Sequence, residues 1–501
     1  MILSRRHLLR LGGGAAFLGG ASGLAFARAQ PGQRTAPSAK ASDSAPKGPA
    51  DHTLRIATSL IELGPDTTVS TKTYNGQFPG PLLHLTEGKR VTIDVYNDTD
   101  TPELVHWHGQ FVPAEVDGAA EEGTPFIPAH DMRRIAFVPG PSGFRFYHSH
   151  VAARTDLSAG TYSGQAGPLF IAPRHDAGAY DQEIFLTLKE FGPFLTRTEM
   201  PVDFLAPPDE VPGLHEQSVA AMKAAIEAGR NQGYELAYTF FSVNGRMLGQ
   251  GEPIRVKPGE RVLFHILNAS ATEIRSLHLP GHSFRVVALD GNPVPNPAEV
   301  PVLWLGTAER VSAIVEMKEP GIWVMGDLMD EDRTRGMGIV VEYAGRAGEP
   351  RWITPDPFRW DYRRFAKDDA KPQEPDEIIN MVFAARIGAR DGFDEFTVNG
   401  VPFAMEKMEP LFRLTRGRRY RLRMTNATDD VHPIHLHRHS FEITAIAGHA
   451  TAGIIKDVAM IGSFQTMNVD FTADQPGRSL FHCHMQQHMD YGFMALFDCV
   501  G

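Results

Sequence analysis

Gly88-Lys89-Arg90-Val91-Thr92-Ile93-Asp94-Val95-Tyr96-Asn97 sets a glycine and an asparagine nine positions apart and joins them through an alternation with the period of two that belongs to a strand. The same frame returns at Gly259 to Asn268 and at Gly417 to Asn426. Each copy follows a polar turn: Tyr74-Asn75-Gly76, Val243-Asn244-Gly245 and Val398-Asn399-Gly400. A second frame recurs as well, because Gly143 to His148, Gly321 to Gly326 and Gly477 to His482 each span five positions of aromatic and aliphatic residues. Three copies of one β-unit of about 100 to 170 residues fit the usual size of a domain. The expected chain is therefore all-β, with units at residues 53–175, 176–345 and 346–501. Helical spacing is sparse outside His215 to Ala228, where Val219, Met222 and Ile226 recur every three or four positions; it reads as an insertion on the second unit. The Pro-rich, charged stretch from Arg346 to Glu377 is expected to run over the surface into the third unit.

The repeats carry histidine unequally. Nine residues after the marker Asn, the first unit has His106-Trp107-His108-Gly109 and the third has His435-Leu436-His437, preceded by His432; the middle unit has Leu277 and Leu279. Five residues after the second marker Gly come His148-Ser149-His150 and His482-Cys483-His484, against Gly326-Asp327-Leu328 in the middle. In a strand, residues i and i+2 share a face, so each pair aims two imidazoles together. Four pairs meeting at an interface would form an eight-histidine cage suited to copper, zinc, iron or nickel. Cys483, pointing away from its two neighbours, joins His432 and His488 in a His₂Cys set, the pattern of a blue-copper electron-transfer site. A structural zinc site, with four ligands, would leave most of these residues unexplained.

The 501 residues carry 49 Lys and Arg against 60 Asp and Glu, with 42% hydrophobic and 22% charged residues, as in a soluble globular protein. The net charge of −11 disfavours a nucleic-acid partner. Cys483 and Cys499 are the only cysteines, so no disulfide framework is expected. Ser4-Arg5-Arg6-His7-Leu8-Leu9-Arg10, a short Gly/Ala-rich apolar run and Ala27-Arg28-Ala29 read as a twin-arginine export signal over residues 1–29 rather than a transmembrane anchor. Residues 30–52 read as a flexible tether. The expected location is periplasmic or secreted, reached through the twin-arginine machinery.

The four histidine segments closely resemble the signatures of the multicopper oxidases, the family of laccases, bilirubin oxidases and bacterial cuprous oxidases: HWHG at 106–109, HSH at 148–150, HPIHLHRH at 432–439 and HCHMQQHMDYGFM at 482–494. The resemblance covers essentially the whole mature chain. It implies three consecutive cupredoxin-like Greek-key β-sandwiches and four coppers per chain. A type 1 copper would sit on His432, Cys483 and His488. His106 and His435 would hold the type 2 copper. His108, His148, His150, His437, His482 and His484 would hold the type 3 pair. The implied reaction couples one-electron oxidation of phenolic or other organic reductants to reduction of dioxygen to water, as in a laccase. A cuprous oxidase acting on Cu(I) in copper tolerance is the alternative, for which Met405 and Met408, or Met325 and Met329, are the candidate thioethers.

Two positions depart from the family pattern. Ten residues after Cys483, where a Met would ligate the type 1 copper, stands Phe493, with Met494 one residue late; a strand would turn it to the opposite face, and only a local bulge would let it ligate. A non-ligating Phe493 is expected to raise the reduction potential. Met489 follows His488 where some bacterial relatives have Glu, and the nearest acid is Asp490, a candidate proton relay. The first relay candidate is Asp117, before Gly118, which matches the family's acid beside the type 2 copper.

Overall fold

The computed structural model describes residues 48–172, 180–196, 205, 209–230, 233–368 and 371–501. The export signal, most of the tether and the boundary expected at residues 175 and 176 lie outside them. The strands form six sheets that fall in chain order into three pairs: two of four strands between His52 and Ala172, then six and five strands between Gln182 and Tyr343, then six and five between Glu377 and Val500. The chain is thus all-β, in three sandwiches.

The marker asparagines explain why the frame repeats. Asn97, Asn268 and Asn426 are fully buried at the ends of their strands. Each amide nitrogen donates to carbonyls of two flanking loops: Asn97 to Thr101, Ile127 and Pro128, Asn268 to Glu273 and Leu305, Asn426 to Asp430 and Gly462. Each amide oxygen accepts from the backbone two residues on, at Thr99, Ser270 and Thr428. A buried amide satisfied on both sides fixes the loop that leads into the next strand, the one carrying the histidine pairs.

Strand register corrects one alignment. His106 pairs with His148, His435 with His482, and in the middle sandwich His278 pairs with Gly326. The residue equivalent to His435 is therefore His278, not Leu277, because the loop after Asn268 is one residue longer. His278 Nδ1 donates to the carbonyl of Pro301 at 2.8 Å, as His435 Nδ1 does to Asp457 at 2.7 Å. Pro280 stands where His437 does, and the Gly326 partner has no side chain, so neither equivalent position gives His278 a second imidazole.

The connection after residue 346 also differs from expectation. Instead of staying on the surface, it buries Trp360, Tyr362 and Phe365. The Tyr362 hydroxyl donates to Glu309 of the middle sandwich at 2.5 Å and accepts from the Met460 amide of the third at 3.1 Å. The helix of the insertion spans Leu214–Glu227 and buries Met222 and Ala225, leaving Ile226 outward. Before it, the Val211 amide donates to Phe464; after it, the Tyr234 amide donates to Gly392. The insertion thus spans two loops of the third sandwich.

Candidate metal centre

Cys483 ends the strand Gly477–Cys483, His432 opens the strand His432–Leu436 beside it, and His488 lies on the helical turn Gln486–Asp490. His432 Nδ1 and His488 Nδ1 are 3.1 Å apart and lie 3.6 and 3.5 Å from Cys483 Sγ. Thr428 gives its hydroxyl hydrogen to Asn426 at 2.8 Å, so at 2.6 Å it accepts from His432 Nε2, leaving a bare lone pair on His432 Nδ1 toward the thiol. Burial pushes the His488 imidazole down to about 3 and the thiol upward. An apolar wall closes the set. The Phe493 ring is 4.8 Å from that of His432 and the Phe396 ring 4.2 Å from that of His488. Met494 opens the last strand opposite His482 and packs instead with Phe403, Leu480, Met489 and Leu496. It is on the other face from Phe493, as the one-residue shift requires.

The eight remaining histidines meet between the first and third sandwiches. Only His106–His108 lies wholly in a strand; His150, His437 and His484 sit just past theirs, so these pairs converge by loop as well as by pleat. Their outward hydrogen bonds set the tautomers. His106, His148, His435 and His482 donate from Nδ1 to the carbonyls of Asp117, Ser149, Asp457 and Cys483 at 2.7 to 2.9 Å. His437 donates from Nδ1 to Asp117 Oδ2 at 2.8 Å, whereas His108 donates from Nε2 to Asp457 Oδ1 at 3.1 Å. Bare nitrogens consequently face one another, His437 Nε2 and His482 Nε2 at 3.0 Å and His108 Nδ1 and His148 Nε2 at 3.4 Å. His106 Nε2, His435 Nε2 and both nitrogens of His150 and His484 are buried without a partner. Lone pairs set against lone pairs in a dry interior are repulsive unless cations lie among them. The donor set therefore fits bound metal, and burial holds His108, His148, His150, His435, His437, His482 and His484 neutral, the form that ligates.

Carboxylates surround the cage. Asp117 is fully buried, not on a surface turn; Oδ2 also lies 3.0 Å from His106 Nδ1, and Oδ1 has no partner. Gly118 lets it approach, since at φ 101° a Cβ there would lie 2.0 Å from the Val105 carbonyl. Three acids escaped the sequence reading. Glu121, which burial raises to about 7, lies 4.0 Å from His150 Nδ1; Glu122 accepts from the Leu480 amide at 2.6 Å; Asp457 binds His108 and His435 as described. Glu121-Glu122 sits close after Asp117 in the sequence and could have been flagged by that adjacency. Asp457 had no local signal. Asp490 is further removed: its carboxyl, raised to about 7 by burial, accepts from the amides of Ala153 and Arg154 at 3.1 and 2.6 Å and from Gln486 at 3.0 Å. It ties the third sandwich to the first. A small cavity lined by His148, His150, Thr161, His484, Gln486 and Met489 abuts the cage.

Multicopper oxidase family models match residues 56–176, 214–341 and 373–499. The chain belongs to the multicopper oxidase family and is an oxidoreductase. It is 27% identical to the multicopper oxidase MmcO of Mycobacterium tuberculosis over 89% of this chain and 86% of that protein, and 24% identical to Laccase-2 of Fomitopsis schrenkii over 84% of each. The crystal structure of a multicopper oxidase from Pseudomonas thermotolerans superposes with a TM-score of 0.65 at 23% identity, covering 90% of this chain and all of the other.

Proposed function

We propose that the chain is a laccase-like oxidase that takes electrons singly from phenolic or other organic reductants and delivers them to dioxygen. The observation that carries this reading is the complete set of inward lone pairs around Cys483 and in the histidine cage, with the two joined through consecutive residues. His432, Cys483 and His488 would hold one copper, His106 and His435 a second, and His108, His148, His150, His437, His482 and His484 a further pair. His106 and His435 bond carbonyls through Nδ1 and turn Nε2 inward without a partner, as His148 and His482 also turn theirs, so their assignment to the second copper rests on motif position. Bound copper would supply one-electron uptake from the reductant and four-electron reduction of dioxygen to two waters.

The chain's own residues do the rest. Cys483 is covalently joined to His482 and His484, and its carbonyl also accepts from His482 Nδ1, so two short routes leave the thiolate. Phe493 and Phe396 keep water from the His432–Cys483–His488 set. Asp117 orients two imidazoles and has an unshared carboxylate oxygen from which to pass a proton inward. Asp490 is the weaker relay, since both its oxygens are taken by N–H donors. The thioethers favour an organic reductant over Cu(I). Met405 and Met408 pack, half-buried, against the apolar cluster with Phe403, Met489 and Met494, and Met325 is fully buried; of the four candidates Met329 alone is exposed.

Oxygen uptake with a panel of phenols, aromatic amines and Cu(I) tests the reading, and a turnover confined to Cu(I) would replace it with the cuprous oxidase. Residues 1–29 support export by the twin-arginine route to the periplasm or medium. Fractionation of cells making the Arg5→Lys, Arg6→Lys chain should find it retained in the cytoplasm.

A further inference from the structure

Six charged side chains, all buried, come together where the three sandwiches meet: Arg145 from the first, Asp290, Glu309 and Arg310 from the middle, Lys456 and Asp457 from the third. Three are cationic and three anionic, so the cluster is neutral. Its centre is Asp457. Arg310 grips that carboxylate with both terminal nitrogens, Nη1 to Oδ1 at 2.7 Å and Nη2 to Oδ2 at 2.6 Å, and Arg145 Nη1 adds a third donor to Oδ2 at 3.0 Å. Asp290 accepts from the amides of Asp457 and Val458 at 3.2 and 3.0 Å and so holds the backbone. Gly109 lies directly on this carboxylate: a Cβ there would be 2.5 Å from Asp457 Oδ2 and 3.2 Å from Arg310 Nη2. The glycine of the HWHG segment is therefore explained by the arginine–aspartate fork it covers.

Asp457 reaches two cage histidines. Its Oδ1 accepts from His108 Nε2, and its carbonyl accepts from His435 Nδ1. The first bond inverts His108 relative to His106, His148, His435, His437 and His482, which all bond outward through Nδ1; only through Asp457 does His108 present Nδ1 inward. A carboxylate free to rotate would not hold that tautomer. The planar guanidinium fork fixes it, because two parallel N–H···O bonds define the plane of the carboxylate as well as its charge.

We propose that Arg310, from the sandwich that contributes none of the cage histidines, is a positioning residue for the trinuclear copper site, acting through the Asp457 carboxylate on His108. This rests on the oxidase reading above. It gives the middle sandwich a part in the metal chemistry, since Arg310 is held in turn by Asp290 Oδ1 accepting its amide at 2.9 Å and by the Ala308 carbonyl accepting Nη1 at 2.7 Å.

The test uses the full-length, copper-loaded protein. In Arg310→Met the blue absorption per chain should match the parent, while type 2 copper, which shares the cage with His108, should leave at chelator concentrations up to about 10-fold lower, the low end of the cost of losing a direct outer partner of a metal ligand, since Arg310 acts one bond further out. Its electron paramagnetic resonance hyperfine splitting should shift. Arg310→Lys, a point charge in place of a fork, should fall between. Glu309→Gln weakens the same cluster without touching the Asp457 carboxylate, so it should lower the thermal midpoint and leave type 2 retention unchanged. Parental retention and hyperfine splitting in Arg310→Met overturn the proposal, as does parallel loss of type 1 and type 2 copper in Arg310→Met and Arg310→Lys alike, which would mark a purely structural role. If Arg310→Met does not fold, Arg310→Lys with parental retention overturns it. A parent that takes up no copper would sink the oxidase reading instead.

Discussion

Asp117→Asn and Asp117→Ala separate two duties of one carboxylate. Oδ2 stands 2.8 Å from His437 Nδ1 and 3.0 Å from His106 Nδ1. In Asp117→Ala, His106 keeps the residue's own carbonyl as acceptor at 2.9 Å, but His437 loses its Nδ1 partner, since Glu122 at 3.6 Å is too far to replace it. A hydrogen bond to a charged acceptor is worth roughly 1.5 to 3 kcal/mol, and loss of such an outer partner lowers metal affinity by about 10- to 100-fold. Asp117→Ala should therefore shed copper. Asp117→Asn retains an oxygen for the imidazole N–H and should keep its copper, yet an amide cannot relay a proton, so turnover should fall by about 10² to 10⁴. Oxygen uptake at saturating reductant reads the turnover, and anaerobic stopped-flow reduction of the blue band should run at the parental rate in both variants. Full oxygen uptake by Asp117→Asn would show that Asp117 only orients imidazoles and that the proton enters elsewhere.

Phe493→Met, which places a thioether within reach of the Cys483 set, should lower the potential of the blue band in a redox titration; an unchanged potential would mean that this position does not face the metal. Cys483→Ser should abolish the blue absorption and leave the type 2 resonance, and disappearance of both would show the two sites to be inseparable. Burial pushes the Glu273 carboxyl up to about 8, so the folded chain holds a proton that the unfolded chain has released. Stability present at low pH should thus fall as pH rises from the ordinary carboxylate range toward about 8, by at most about 1.4 kcal/mol per pH unit. Glu273→Gln should flatten that slope in thermal midpoints taken across the range; a slope equal to the parent's would assign the pH dependence to another group.

The convergence of the histidine segments was legible because each is local: His-x-His and His-Cys-His place donors within a few residues, and the Gly to Asn frame marks the strands that carry them. What supports them was not. His108 meets Asp457 across 349 residues, and Arg310 meets it across 147, so no spacing rule could join them. The Leu277 alignment failed on a one-residue loop insertion, which counting from Asn268 cannot detect but hydrogen-bond register does. Tyr362 looked like part of a surface linker because its stretch is charged and Pro-rich; two buried polar partners, Glu309 and the Met460 amide, draw it inside. A strand's period put Phe493 and Met494 on opposite faces unless a bulge intervened, and the two do pack into different clusters, with the strand opening at Met494.

The cage takes four rings from residues 106–150 and four from residues 435–484, with nothing from the described residues between. No growing chain can possess it until translation is all but finished and the first and last sandwiches have met, and contacts this distant in sequence form late and slowly. Under the oxidase reading, copper loading would then act as a checkpoint on assembly. An aborted or clipped chain lacks half the donors and offers the metal no cluster, only scattered imidazoles. A chain that stops after the middle sandwich lacks Cys483 as well. The organisation thus denies a half-made oxidase the means to hand electrons to oxygen before the site that completes the reduction exists.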